Sequence, residues 1–589
     1  MLSSGHAIWD GWLGDAWAVP VRQVALRSQL FNGTYTLMRS QDAPLYDILL
    51  RSESADMMRL HYLLTVAVTF ACTSASAVVE GDCTHHDATL GWLARSLSDY
   101  SAISCLGQPL KRYNAGRYWG EQFGKNASVV VYPGNTQDVS HAVKAASKSP
   151  LAQDFALVIG GHSMINASSA YGFVLDLSWM NKTNVVSLLN SNGTNVTAIE
   201  YQGGATWLQV QTAVNGSGWT PVGARVGSVG AGGFSLGGGI GFLGGAYGYA
   251  VDRLLQLEVV LPSGKTVLAS RNNNHSDLFW AFQGGSGQFG VVTRFWQEAV
   301  PEPLEATIGI YYIEASDGDR MRLQTVEFFE TNKDPFSVVY YSVGYLSDQT
   351  FAGSPAPESY KNRILVILVH FNNPEDPTQT SYNATFAPLF KGINTTNHIV
   401  QTTPYADLVA VGDLAFPYGY RRGFCGPQTS TISVEYLEDL ATAFFNYTDR
   451  LRARGDVPYG ANHIVQYMSP GLNGHLPPSD AATAWPHAKA GHQTLFSPAW
   501  SSAHDDTLSV QANELLNSIT YRRQAALGEF IADYPNYVSP EASGRRVWGD
   551  NVARLTQVKQ KYDPHCLIRN GKVFANDGCI EGGWANVFP

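Results

Sequence analysis

Short apolar runs broken by proline and glycine dominate residues 128 to 181. "SVVVYP" (128–133), "FALVIGG" (155–161) and "YGFVLDLSWMN" (171–181) read as strands, the first stopped by Pro133. Between the first two, "DVSHAVKAASKS" (138–149) carries a helical period, with Asn135, Thr136 or Asp138 as candidate cap. Residues 90–105 also read as helical. "LLQLEVVLPSGKTVLAS" (254–270) is a hairpin turning at "PSGK", and "DLFWAFQGGSGQFGVVTRFW" (277–296) is a helix, a glycine turn and a strand. From about residue 301 the texture changes. Long strand patterns such as "ATIGIYYIEA", "FSVVYYSVGYL" and "RILVILVHF" mix with amphipathic helices, "VEYLEDLATAFFNYTDRLRAR" and "TLSVQANELLNSITYRRQAALGEF". This pattern predicts an α+β fold whose second part is an antiparallel sheet with helices on one face.

Residues 59–77, "RLHYLLTVAVTFACTSASA", combine a basic flank, an apolar stretch and a small-residue A-x-A end. They read as a secretory leader, placed at 57–77, with residues 1–56 as an upstream extension. As a membrane anchor the run is short and polar, so no membrane span is expected. Ten N-x-S/T sequons follow the leader, which fits a secreted glycoprotein. Asn166 stands four residues after His162, and its sequon is expected to be empty if that turn is buried. Cys83–Cys105 and Cys566–Cys579 are plausible disulfides, with Cys425 left over. No His/Cys cluster suggests a metal. The 589 residues are 44% hydrophobic with a net charge of -10, which supplies a large core and gives no basic stripe for nucleic acid. A monomer is expected.

Residues 223–248 hold 12 glycines in 26 positions, interleaved with Val, Phe, Leu, Ile and Tyr. A glycine tract inside a packed region means backbone against backbone or against a ligand. Two short motifs lie within it. Gly239, Gly241 and Gly244, with Glu258 downstream, match a dinucleotide fingerprint but lack the preceding strand and following helix. Gly233-Phe-Ser235-Leu-Gly237 matches a nucleophile elbow, which keeps a secreted serine hydrolase through Ser235 as the alternative from another class. "VIGGHSMINASSA" (158–170) sets His162 after two glycines. Alone, that histidine could be a base, a metal ligand, a buried structural residue or an attachment point.

Three long blocks in order carry a resemblance: "VIGGHSMINASSAYGFVLDLSWMN", the glycine tract running on through "DLFWAFQGGSGQFGVVTRFW", and the tail "YPNYVSPEASGRRVWGDNVARLTQVKQKYDP". Together they resemble the berberine bridge enzyme-like branch of the vanillyl alcohol oxidase flavoproteins, particularly fungal secreted members. The resemblance implies a PCMH-type FAD-binding domain over 125–300, a substrate domain over 301–520 and a tail, 521–589, returning to the FAD domain. It implies FAD bonded covalently to His162, with Val226 at the position where many relatives carry a second, cysteine link. The attachment is therefore expected through His162 only. Gly160, Gly161, Ser163, Ser228, Gly230, Gly232, Gly233, Gly290, Val292 and Asn536 are expected around the cofactor.

The resemblance further implies hydride transfer from a small organic substrate to flavin, with O2 as acceptor. A secondary-metabolite alcohol, amine or ring is the favoured substrate, and a carbohydrate the alternative. Plant relatives place a glutamate base after a Pro-His pair, but no acidic residue lies between Pro486 and Trp500 here. Tyr537 of "YPNY" is then the expected base, with His487 and His492 as alternatives and Tyr534 as a packed core residue. A tyrosine base near neutral pH requires a cation or the flavin beside it.

Overall fold

The structure is a computed structural model. It describes residues 77–571 except 82, 84–86, 106–116, 151–153, 346–362, 374, 377, 396–397, 416–417, 457, 459 and 540–541. The expected extension over 1–56 and all of the expected leader but Ala77 lie outside the described residues, as does Cys579.

The apolar runs pair as their chemistry requires. "VVVY" becomes the strand Val129–Tyr132, buried throughout, and sits inside a five-stranded sheet. Its order is Val78–Glu80, Ala102–Cys105, Val129–Tyr132, Phe173–Asp176, Phe155–Val158. The last three run parallel, the arrangement expected of strands apolar on both faces. Helix Thr136–Ala146 crosses over, capped by Asn135, whose side chain accepts from Asp138 N at 3.0 Å. The helix expected over 90–105 ends early: Ala88–Ser96 is helical and Ala102–Cys105 is a strand. Pairing with Val129–Tyr132 and the Cys83–Cys105 disulfide override the helical reading there.

A second five-stranded sheet is antiparallel, ordered Thr266–Ser270, Leu254–Val260, Val291–Glu298, Asn195–Gln202, Thr183–Leu189. The "PSGK" hairpin joins its first two strands, with Gly264 at φ +80°. The third sheet is antiparallel and seven-stranded: His398–Pro404, Glu305–Ile313, Arg363–Phe371, Ser337–Gly344, Asn462–Gln466, His492–Ser497, Gln428–Thr429.

Alternation along this third sheet decides what faces what. Val339, Tyr341 and Val343 join Ile364, Val366 and Leu368 in a core with helices Gly318–Thr331, Val434–Ala453 and Asp506–Ala526. Their neighbours Tyr340, Ser342, Leu365, Ile367 and Val369 point the other way, into a cavity. The C-terminal segment is bound to the loop before Val291–Glu298: buried Lys559 donates at 2.6 Å to Asp563, Gln288 O and Ile568 O. The overall class is α+β, as expected. No described helix is long and apolar enough to cross a membrane, and no metal-binding cluster occurs among the described residues.

Candidate active site

The cavity has a volume of about 1020 Å³, at the upper end for small-molecule sites. One wall is the open face of the seven-stranded sheet. The other is the Gly160–Ile165 turn, the glycine tract and the loop Ser286–Gln288.

The turn at Gly161 takes φ +73°, and a Cβ there would meet Arg117 O at 2.8 Å. Only glycine suits that backbone. The N–H groups of Gly161, His162 and Ser163 make no hydrogen bond among the described residues. A set of orphan amides at a cavity wall is an anion cradle. Gly233 and Gly287 also line the cavity, and a Cβ at either would meet nothing within 4 Å. That space is kept open for a ligand.

His162 is held from three sides. Trp119 stacks on it at 5.6 Å and 16°, while Nε2 lies 2.9 Å from Ser228 Oγ and 3.1 Å from Tyr418 OH. Ser228 donates its hydroxyl to Asp413 Oδ1 at 2.6 Å, and its backbone N–H donates to the same oxygen at 3.0 Å. A carboxylate only accepts, so the serine proton goes to Asp413 and Ser228 Oγ accepts from His162 Nε2–H. The tautomer this fixes leaves Nδ1 with the lone pair. Desolvation by burial pushes the imidazole down to about 3, so it is neutral near pH 7.

Of the sequence-predicted residues, Gly160, Gly161, His162, Ser163, Val226, Gly230, Gly233, Asn536 and Tyr537 line the cavity. Ser228 stands behind His162 instead of on the wall. Gly232, Gly290 and Val292 do not line it. Gly232 faces Gly203 O and Ile159, Gly290 packs on Val259 and Val260, and Val292 is buried in the second sheet opposite Val259. Val226 offers no nucleophile to the cavity. Cys425 is a buried thiol 3.2 Å from Asn513 Oδ1, and Cys566 is disulfide-bonded.

Tyr534 is buried, and its hydroxyl accepts from Gly239 N (3.1 Å), Ile240 N (2.9 Å) and Asn536 Nδ2 (2.9 Å). Tyr537 reaches the cavity, where Arg225 Nη2 donates to its hydroxyl. Neither alternative base does so. His487 is buried against Trp485 at 4.3 Å, with Nε2 2.9 Å from Asp252. His492 takes the Met468 N–H at 3.1 Å and lines a separate small pocket. The hydrolase alternative also fails. Ser235 is fully buried, bonded to Tyr201 at 2.8 Å and off the cavity. Glu258 binds Thr136 and Thr293, so it reads no ribose, and only the four-residue helix Gly244–Tyr247 follows the fingerprint.

Two family models match the chain: an FAD binding domain over residues 127–270, and berberine and berberine like over 533–571. The FAD-dependent monooxygenase sdcF of Emericella nidulans is 29% identical over 76% of this chain and 91% of its own. The chain is an FAD-linked oxidoreductase that carries the FAD-binding and berberine-like segments in order. Among solved structures, wild-type BBE-like 1 of Physcomitrella patens shares the fold with TM-score 0.65 at 15% identity, over 83% of this chain and 99% of that one. A chitooligosaccharide oxidase does so with TM-score 0.61 at 19% identity, over 82% and 98%.

The residues of this FAD-linked oxidoreductase fit the cofactor. The orphan amides at 161–163 suit a diphosphate, and the open faces of Gly233 and Gly287 leave room for flat rings. Sequence reasoning missed the other half of the site. Arg225, Tyr340 and Gln466 form one cluster: Arg225 Nη1 donates to Tyr340 OH at 3.3 Å and to Gln466 Oε1. Trp119, Phe424 and Asp413 were missed as well. Arg225 was visible inside the glycine tract as a lone cation, but its partners lie on strands without a motif.

Proposed function

We propose that this oxidoreductase is a secreted oxidase carrying FAD covalently through His162 alone. Its substrate is a small organic alcohol, amine or ring of secondary metabolism, and O2 is its electron acceptor. FAD, when bound, supplies the hydride acceptor. The protein positions and moves the proton. Neutral His162, with its Nδ1 lone pair free of the Ser228–Asp413 chain, is the competent nucleophile for attachment. Tyr537 Oη takes the proton from the substrate O–H or N–H, and Arg225 supplies the cation a tyrosine base needs beside it. The aliphatic sheet face excludes water and packs the substrate body.

A single observation carries the reading: His162 and Tyr537 line one cavity whose remaining wall is mostly apolar. That wall disfavours a sugar, which would leave its hydroxyls unpaired against Ile308, Ile310, Leu365 and Ile367. Secretion rests on the sequons. Nine of the ten sequon asparagines past the leader are exposed, while Asn166 is half-buried at φ 57°.

The test is direct. Purified protein should be yellow and keep its colour on acid precipitation, while His162→Ala should release any flavin. Anaerobic bleaching against a panel of aromatic alcohols, amines and sugars identifies the substrate class. Tyr537→Phe should slow that bleaching by roughly a hundredfold or more. A near-normal rate removes Tyr537 as the base, and colourless wild-type protein ends the flavin reading.

A further inference from the structure

Arg225 is the only charged side chain on the cavity wall among the described residues. Its partners are Tyr340 OH, Gln466 Oε1 and Tyr537 OH, none of them a carboxylate. No described carboxylate forms an ion pair with it. A half-buried guanidinium facing apolar walls with no carboxylate beside it among the described residues, and with N–H groups to spare beyond Tyr537, is suited to an anionic ligand.

The donor count says what shape that anion has. Nη1 spends both hydrogens on Tyr340 and Gln466, and Nη2 spends one on Tyr537. Of the guanidinium's five N–H groups, the Nε–H and one Nη2–H remain. Nε has no partner among the described residues and is not among their buried unsatisfied atoms, so it stays accessible. This same pair of nitrogens grips a carboxylate elsewhere in the protein. Arg421 holds Asp506 through Nε at 2.7 Å and Nη2 at 2.5 Å. Two donors in a planar fork match two carboxylate oxygens.

We infer that the substrate of this cavity carries a carboxylate, bound by Arg225, on a flat apolar body packed against the sheet face. Ile308, Ile310, Leu365, Ile367, Ile464 and Leu495 supply that face, and no acidic residue among the described wall residues repels the anion. The binding site puts the substrate beside Tyr537, which shares the same guanidinium. This rests on the cavity being the substrate site of the oxidase.

Calorimetric titration of the purified, flavin-loaded protein tests it, with 2-naphthoate, 2-naphthalenemethanol and 2-naphthol as probes of one shape. We expect 2-naphthoate to bind roughly tenfold or more tightly than either neutral probe. Arg225→Gln should remove that preference, and Arg225→Lys should retain part of it. Equal binding of the three probes by wild-type protein overturns the inference without recourse to a variant. So do tighter binding of the naphthol, no saturable binding of naphthoate, or an unchanged preference in Arg225→Gln. The visible flavin spectrum confirms that each variant is folded. A protein without flavin sinks the oxidase reading itself, whereas a yellow protein indifferent to the carboxylate sinks only this inference.

Discussion

Replacing Asp413 by alanine tests the chain that orients His162. In the native arrangement Asp413 takes the Ser228 hydroxyl proton at 2.6 Å, which obliges Ser228 Oγ, 2.9 Å from Nε2, to accept from the imidazole. Without the carboxylate the serine hydroxyl is free to turn and donate to Nε2. The proton then sits on Nδ1, and the lone pair needed for attachment is lost. A hydrogen bond to a charged acceptor contributes about 1.5–3 kcal/mol, which corresponds to a shift in tautomer ratio of roughly 10- to 150-fold. Covalent incorporation of FAD into purified apoprotein should slow by that factor, read as the fluorescence of acid-precipitated protein against time. Ser228→Ala should slow it comparably. The double variant should be no slower than the worse single, because both act through one chain. An unchanged rate in Asp413→Ala, or additive losses in the double variant, would refute the tautomer argument.

Three further outcomes follow from the geometry. Gly233→Val should give protein that melts at the parental temperature yet binds little FAD, since a Cβ there meets no protein atom but enters the cavity; an equally yellow variant would displace the proposed cradle. Tyr534→Phe strips one acceptor from three donors at 2.9–3.1 Å and should destabilise by about 2–4 kcal/mol in urea unfolding; a loss under about 0.5 kcal/mol would mean water replaces the hydroxyl. Burial holds His463 down to about 3 and His492 to about 4, below the ordinary value of 6.5. The unfolded chain therefore binds more protons in that window, so stability is complete above about pH 6.5 and falls as pH drops toward 4. Each histidine adds a slope of up to about 1.4 kcal/mol per pH unit, and His463→Gln should flatten the fall in melting temperature measured from pH 6.5 to 4.5.

Elements fixed by local chemistry were legible in the chain. Pro133 ends the strand Val129–Tyr132, Asn135 caps the next helix, and the "PSGK" turn closes its hairpin. The Gly160–Ser163 turn and the "YPNY" tail were legible because each needs rare residues at fixed spacing. What depends on pairing across the chain was not. Ala102–Cys105 is a strand because Val78–Glu80 and Val129–Tyr132 pair with it on either side. Gly290 and Val292 sit in a plausible glycine motif, yet their sheet register turns them into the core. His487 and His492 looked available because a sequence shows no Asp252 and no Met468 N–H next to them. Asp413 comes from helix Tyr405–Ala415, far along the chain, and nothing in that helix announces a role.

The four residues Arg225–Ser228 tie the two halves of the site together. Ser228 turns toward His162 and fixes its tautomer, whereas Arg225, three residues earlier, reaches Tyr340, Gln466 and Tyr537 on the substrate side. Between them Val226 lines the cavity without a nucleophile, and Gly227 lies so close to Asp413 that a Cβ would stand 2.7 Å from its carboxylate. A side chain at 227 would push Asp413 away from Ser228 and shift Arg225 at the same time. Gly227→Ala should therefore lower both covalent flavin content and substrate reduction rate, although residue 227 has no side chain to touch cofactor or substrate. If only one of the two falls, the ends of this segment act independently, and the coupling argued from their spacing is wrong.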